Sequence, residues 1–132
     1  LKPLAEIASG GEMSRIMLAF KTILCRYEAL DTMIFDEIDT GIGGNIAVKV
    51  AEKLKSVSQF AQVICVTHAP QIAAMADSHY LIQKYNENER TVTTVRKLSA
   101  EEEIAEIARM LGGAEEYQLK AAAMMKQNSK EK

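Results

Sequence analysis

The sequence has no surplus of charge of either sign. Its 16 lysines and arginines face 18 aspartates and glutamates, a formal net charge of −2 at pH 7, so it carries no electrostatic footprint for a polyanion. It lacks an apolar run of the ~20 residues that a membrane-spanning helix needs. It also lacks a basic-then-apolar leader, and the expected setting is cytoplasmic, with no membrane partner. The two cysteines, Cys25 and Cys65, have no metal-ligand spacing. Inside apolar segments they read as buried free thiols of a reducing compartment. The seven glycines, at positions 10, 11, 41, 43, 44, 112 and 113, never fall into the order G-x-x-x-x-G-K-[ST]. The loop that cradles a nucleoside triphosphate is therefore missing. Repeats, low-complexity tracts and linkers are missing as well.

What remains is an ordinary globular composition, 48% hydrophobic and 26% charged over 132 residues, enough for one core. The expectation is a single domain over 1–132, with 128–132 a disordered tail. The chain opens at Leu1 directly in patterned sequence, which reads as a fragment of something longer.

Hydrophobic periodicity sets out the elements. Met13, Ile16, Met17, Phe20, Ile23, Leu24 and Tyr27 fall at helical spacing over 12–28. The run 32–35, ending in Asp36-Glu37, suits a buried parallel strand. A helix follows over 45–57, then a second buried strand within 62–68, then a helix begun by Pro70 and reaching about residue 76. Residues 79–85 and 91–97 flank the polar turn NENER and predict an antiparallel hairpin at a sheet edge. Ser99 and Glu102 form a capping box for a helix closed by Gly112, and a last helix covers about 115–127. Helix and strand in alternation give an α/β fold with parallel strands, flanking helices and an antiparallel edge hairpin.

In such sheets ligands bind beyond the carboxyl ends of the strands. Asp36 and Glu37 end the first strand, and Thr67 and His68 end the second. An aspartate there can hold Mg²⁺, and a glutamate beside it can take a proton from an attacking water; the same pair also suits a plain polar strand exit. His68 can donate to a phosphate oxygen or serve only locally. His79 reads as a strand-start residue without a role. Ser9 and Glu12 make a second capping box, which accounts for Glu12 but not for Gly10 and Gly11. Two residues without Cβ, beside a serine hydroxyl at a helix N-terminus, read as a phosphate contact.

Four segments resemble the motifs of ABC-type ATPases in that family's order. ASGGE (8–12) is similar to the signature motif, TMIFDE (32–37) to the Walker B strand, DTGIGG (39–44) to the D-loop and VTH (66–68) to the switch-histidine segment. Within that superfamily IASGGEMSRIMLA, IFDEIDTGIGG, VTHAPQIAAMAD and EIARMLGG resemble the C-terminal segment of the RecN family. These are SMC-like proteins of bacterial DNA double-strand-break repair. The resemblance covers residues 2–113. It implies the C-terminal lobe of an ATPase head, whose P-loop lies in an N-terminal lobe of the same polypeptide beyond a coiled coil. It implies that Asp36 serves Mg²⁺, that Glu37 is the catalytic base and that His68 contacts the γ-phosphate. Ser9, Gly10, Gly11 and Glu12 would face the ATP held by a second head in a homodimer, and Asp39 would lie at the head–head interface. DNA as partner and a place at the bacterial nucleoid follow from the resemblance alone. Ala8 stands where many transporters have leucine, which fits the repair family. The alternatives are the head lobe of another SMC-type chromosome-organising ATPase, or an interaction module that keeps the fold without catalysis. Without the P-loop, the chain by itself is expected to be inactive and to hold neither ATP nor Mg²⁺ tightly.

Overall fold

The computed structural model describes residues 8–24, 31–87 and 90–130. Cys25, Tyr27, the end of the first expected helix, the tip of the NENER turn and residues 131–132 lie outside the described residues. The chain divides into two compact units, Leu1–Met75 and Ala76–Lys132.

The first unit runs α1 (Gly10–Leu24), β1 (Thr32–Phe35), α2 (Gly44–Val57), β2 (Gln62–Cys65) and α3 (Pro70–Met75). β1 and β2 pair in parallel, from Thr32 opposite Gln62 to Phe35 opposite Cys65. A parallel pair cannot be joined by a tight turn and needs a crossover helix, here α2. The α2 helix places Ala47, Val50, Ala51, Leu54 and Val57 on one stripe, and all five are buried. With Leu18, Met33, Phe35, Ile38, Ala69 and Ile72 they form the core.

Both strands are covered on one face only. Met33 and Phe35 point inward, whereas Ile34 on the opposite face is 70% exposed. Ile64 and Val66 are exposed as well. The continuous apolar runs predict burial on both faces, and the unit buries one. Helix α1 behaves in the same way. Its buried residues are Gly11 and Leu18, while Met17, Phe20, Ile23 and Leu24 of the expected apolar stripe stay exposed.

The second unit contains β3 (Tyr80–Glu87), β4 (Arg90–Lys97), α4 (Ala100–Met110) and α5 (Glu116–Asn128). β3 and β4 form the expected antiparallel hairpin, Tyr80 opposite Lys97 through Glu87 opposite Arg90. It is a two-stranded sheet of its own among the described residues. The Ser99–Glu102 capping box starts α4. Gly112, at φ 107°, ends it: the Gly112 N–H donates to the Arg109 carbonyl and the Gly113 N–H to that of Ala108, a Schellman closure that a left-handed glycine permits. Helix α5 packs on α4, with Ile107, Ala108 and Ala122 fully buried. Lys126 Nζ donates to the Ala76 carbonyl at 2.7 Å and pairs with Glu103 Oε2 at 2.8 Å. Asn128 closes α5 and Ser129 caps it. His79 has a buried Nδ1 without a partner among the described residues; burial holds its imidazole below the usual value, against the pull of Glu103 and Glu106.

Full burial of a side chain such as Ile34, Ile64 or Phe20 contributes about 1.5–3 kcal/mol, so these open faces favour association. The isolated chain is expected to self-associate as its concentration rises, and Ile34→Thr together with Ile64→Thr to shift it toward monomer. Light scattering after size exclusion reads this directly, and a wild-type chain monodisperse at high concentration would contradict it.

Candidate active site

The site lies at the carboxyl ends of β1 and β2, inside the first unit. Its centre is Asp39, which is only 4% exposed. Asp39 Oδ2 accepts from the Thr67 hydroxyl at 2.6 Å, the His68 N–H at 2.8 Å and the Ala69 N–H at 2.9 Å. His68 Nδ1 also lies 3.1 Å from it. Asp39 Oδ1 is buried without a partner among the described residues. Burial pushes this carboxyl up, but the Thr67 hydroxyl, the His68 and Asp39 N–H groups and the charge of His68 together hold it below the ordinary value. Asp39 is buried and joins the exits of the two strands. His68, held at Nδ1, keeps its side chain 80% exposed, so its other ring nitrogen is available to a ligand.

Asp36 and Glu37 are both exposed. The Glu37 N–H donates to Asp36 Oδ1 at 2.9 Å. Glu37 has φ 56°, a left-handed conformation costing about 1–3 kcal/mol for a residue with a Cβ. The Thr40 N–H closes the turn onto the Glu37 carbonyl at 3.0 Å.

The start of α1 abuts this loop. A Cβ on Gly11 would stand 2.6 Å from the Glu37 carbonyl oxygen, and one on Gly10 2.8 Å from Glu37 Oε2. No side chain fits at Gly11, which is buried. The paired glycines thus have a reason inside the lobe, whatever else they meet. Ser9 and Glu12 form the expected box: the Ser9 N–H and hydroxyl donate to Glu12 Oε2 at 2.9 and 3.0 Å, and the Glu12 N–H donates back to Ser9 Oγ at 3.3 Å. The Ser9 N–H, then its hydroxyl, hold the Glu12 carboxyl below its usual range. Ser14 and Arg15, which sequence reasoning passes over, also reach the loop. Ser14 Oγ donates to the Asp36 carbonyl at 2.9 Å, and Arg15 Nη1 donates to those of Ile38 and Thr40 at 3.1 and 2.9 Å. Nothing in the residue order marks them; in sequence they are two polar residues on a helix.

The site therefore brings together Ser9, Gly10, Gly11, Glu12, Asp36, Glu37, Asp39, Thr67 and His68, whereas His79 belongs to the second unit. Cys65, at the end of β2, is half-buried; burial first, then Asp39 and Asp36, push its thiol up to about 12. Among the described residues no three His, Cys, Asp or Glu side chains cluster as a metal cage. One exposed carboxylate, Asp36, fits a Mg²⁺ ion that takes one or two carboxylates and completes its shell with phosphate oxygens and water.

No model of a protein family matches the chain. The DNA repair protein RecN of Bacillus subtilis is 50% identical over 115 residues, 87% of this chain and 20% of the relative. RecN of Halalkalibacterium halodurans is 50% identical over 119 residues, 90% of this chain and 21% of the relative. Deinococcus radiodurans RecN is 50% identical over 115 residues, 86% of this chain and 20% of the relative. Over 86–90% of its length the chain is similar to these RecN proteins. It matches a C-terminal part of RecN and spans about one fifth of the length of these curated relatives. A solved structure from work on ATP-driven dimerization and DNA-stimulated activation of SMC ATPases is similar at TM-score 0.55 and 27% identity, covering 80% of this chain and 63% of that one. The α/β fold of this segment is similar to that of part of an SMC ATPase head.

Because the folded Asp39 carboxyl titrates below its ordinary 3.8, it contributes stability that is complete above that pH and is lost as pH falls through the lower folded value. Asp39→Asn, which removes charge-assisted bonds to buried donors, is expected to cost about 2–4 kcal/mol at neutral pH. That cost should shrink as wild type is acidified below 3.8. Urea unfolding of both proteins at pH 7 and pH 3 checks the sign, and a pH-independent difference would contradict it.

Proposed function

We propose that residues 1–132 form the C-terminal lobe of an ATPase head in a RecN-like DNA repair protein. The observation that carries this reading is the convergence of four motif-like segments, spread over residues 8–68, on one end of one parallel strand pair. The RecN relatives and the SMC ATPase neighbour support it. Identity of 50% to RecN against 27% to the SMC structure favours the repair branch over a chromosome-organising head.

In this reading the triphosphate is cradled by an N-terminal P-loop lobe of the same polypeptide. The exposed apolar residues of β1, β2 and α1 are surface for which such a lobe supplies cover. Asp36 would hold Mg²⁺, which neutralises charge on the β- and γ-phosphates. Glu37 accepts a proton from the attacking water. His68, oriented by Asp39, turns its free ring nitrogen toward the γ-phosphate. Ser9, Gly10, Gly11 and Glu12, at the positive end of α1, serve the nucleotide of a second head in a two-fold dimer. Hydrolysis would then control head dimerisation on DNA, in the bacterial cytoplasm. Asp39 would lie at the head–head interface while its bonds to Thr67, His68 and Ala69 hold the two strand exits of its own lobe together.

Glu37→Gln keeps the shape and removes the proton acceptor. In the full-length protein it should lower ATP turnover on the order of 10²–10⁴-fold while ATP still binds and head dimers accumulate. The isolated chain should show no turnover. Steady-state hydrolysis and sizing in the presence of ATP test both; near-normal turnover in Glu37→Gln would remove this residue from the mechanism.

A further inference from the structure

We infer that Arg15 is a positioning residue for the Glu37 carboxylate, acting through the backbone on either side of it. The inference rests on the reading of Glu37 as the catalytic base. Glu37 sits at φ 56°, a region that residues with a Cβ rarely adopt, so its direction is set by what holds its neighbours. Those neighbours hang from one turn of α1. Ser14 holds the carbonyl before Glu37, at Asp36. Arg15 holds the carbonyls after it, at Ile38 and Thr40, at 3.1 and 2.9 Å. Gly11 lies directly against the Glu37 carbonyl, where an added Cβ would come within 2.6 Å. The loop is thus pulled from both ends and braced from below.

The chemistry asks for arginine. Both bonds leave the same guanidinium nitrogen, Nη1, which has two N–H donors fixed in a plane. It can therefore span two carbonyls two residues apart at a set angle. A lysine ammonium reaches the same region as a mobile point charge and fixes direction less well. The consequence is mechanical. The first turn of α1 and Glu37 form one assembly, so whatever meets the Ser9–Gly11 turn is felt at the carboxylate of the same lobe.

The test uses the full-length protein with Arg15→Met, which keeps length and removes the donors, and Arg15→Lys. Arg15→Met is expected to lower kcat for ATP about ten- to a hundredfold, as a displacement of about 1 Å in a reacting group does, with KM within about twofold. Arg15→Lys should recover part of the loss. In a Glu37→Gln background Arg15→Met should cost nothing further, because the group it positions is already gone. A wild-type kcat in Arg15→Met beside an inactive Glu37→Gln overturns the inference and leaves the base assignment standing. A further loss on top of Glu37→Gln, or a raised KM with unchanged kcat, makes Arg15 a structural or binding residue and overturns it too. Near-normal turnover in Glu37→Gln overturns both readings. Should Arg15→Met fail to fold, as judged by circular dichroism, the same comparison is made with Arg15→Lys: a kcat defect confined to the Glu37 background supports positioning, and wild-type kinetics refute it.

Discussion

The arrangement of the site depends on one buried carboxylate oxygen, Asp39 Oδ2, which joins the chain leaving β1 to the chain leaving β2. The two strands pair over only four residues each, too short a ladder to aim the loops beyond it. A charge removed from water demands compensation, and the Thr67 hydroxyl and the His68 and Ala69 N–H groups supply it. The need to satisfy Asp39 therefore fixes where the β2 exit goes. The same oxygen receives His68 Nδ1, so one carboxylate both closes the loop junction and turns an exposed imidazole outward. Its second oxygen, buried and unpartnered among the described residues, shows that the carboxylate is oriented by these donors and not by maximal pairing.

The helix that opens the described chain is fastened to the same loop by different means. Gly11 gives closeness, because only a residue without a Cβ can lie against the Glu37 carbonyl. Ser14 and Arg15 give direction, through hydrogen bonds to three backbone carbonyls. With these restraints a glutamate occupies a backbone conformation that it would not choose alone. Strain of this kind persists only where the surroundings over-determine it. Here the surroundings are one helical turn on one side and the Asp39 junction on the other.

The first unit satisfies its polar groups more completely than its apolar ones. Ile34 and Ile64 on the strands, Val66 just past β2, and Met17, Phe20, Ile23 and Leu24 on α1 remain in contact with solvent. A chain matching about a fifth of its relatives' length is a setting in which such faces are expected. The second unit also leaves apolar side chains in solvent, among them Ile82 and Val95 on its hairpin and Tyr117 and Met124 on α5. Capping at Ser99, the left-handed glycine at 112 and the Lys126–Glu103 pair finish its helices locally.

Much of the fold is legible in the residue order, because it is written in local rules. The 3.6-residue stripe of α2, the short apolar strands, Pro70 at a helix start and the Ser99–Glu102 box each act over a few residues, so reading them needs no knowledge of neighbours. The gathering of Asp36, Glu37, Thr67 and His68 at one sheet edge follows from strand order alone. Three things do not. The apolar stripe of α1 marks the helix but not its buried face, since period reports amphipathicity and not which partner is present. The depth of Asp39 depends on donors 28 to 30 residues away, and an aspartate in a glycine-rich loop looks the same in sequence whether it points into the protein or out of it. The strap from Ser14 and Arg15 to the Asp36–Thr40 loop joins side chains to backbone carbonyls, and carbonyls carry no residue identity. Sequence by itself determined the elements and the edge at which the chemistry collects. Tertiary structure alone decided which groups on that edge hold the others still, because long-range hydrogen bonds are set by where the chain returns and not by local residue order.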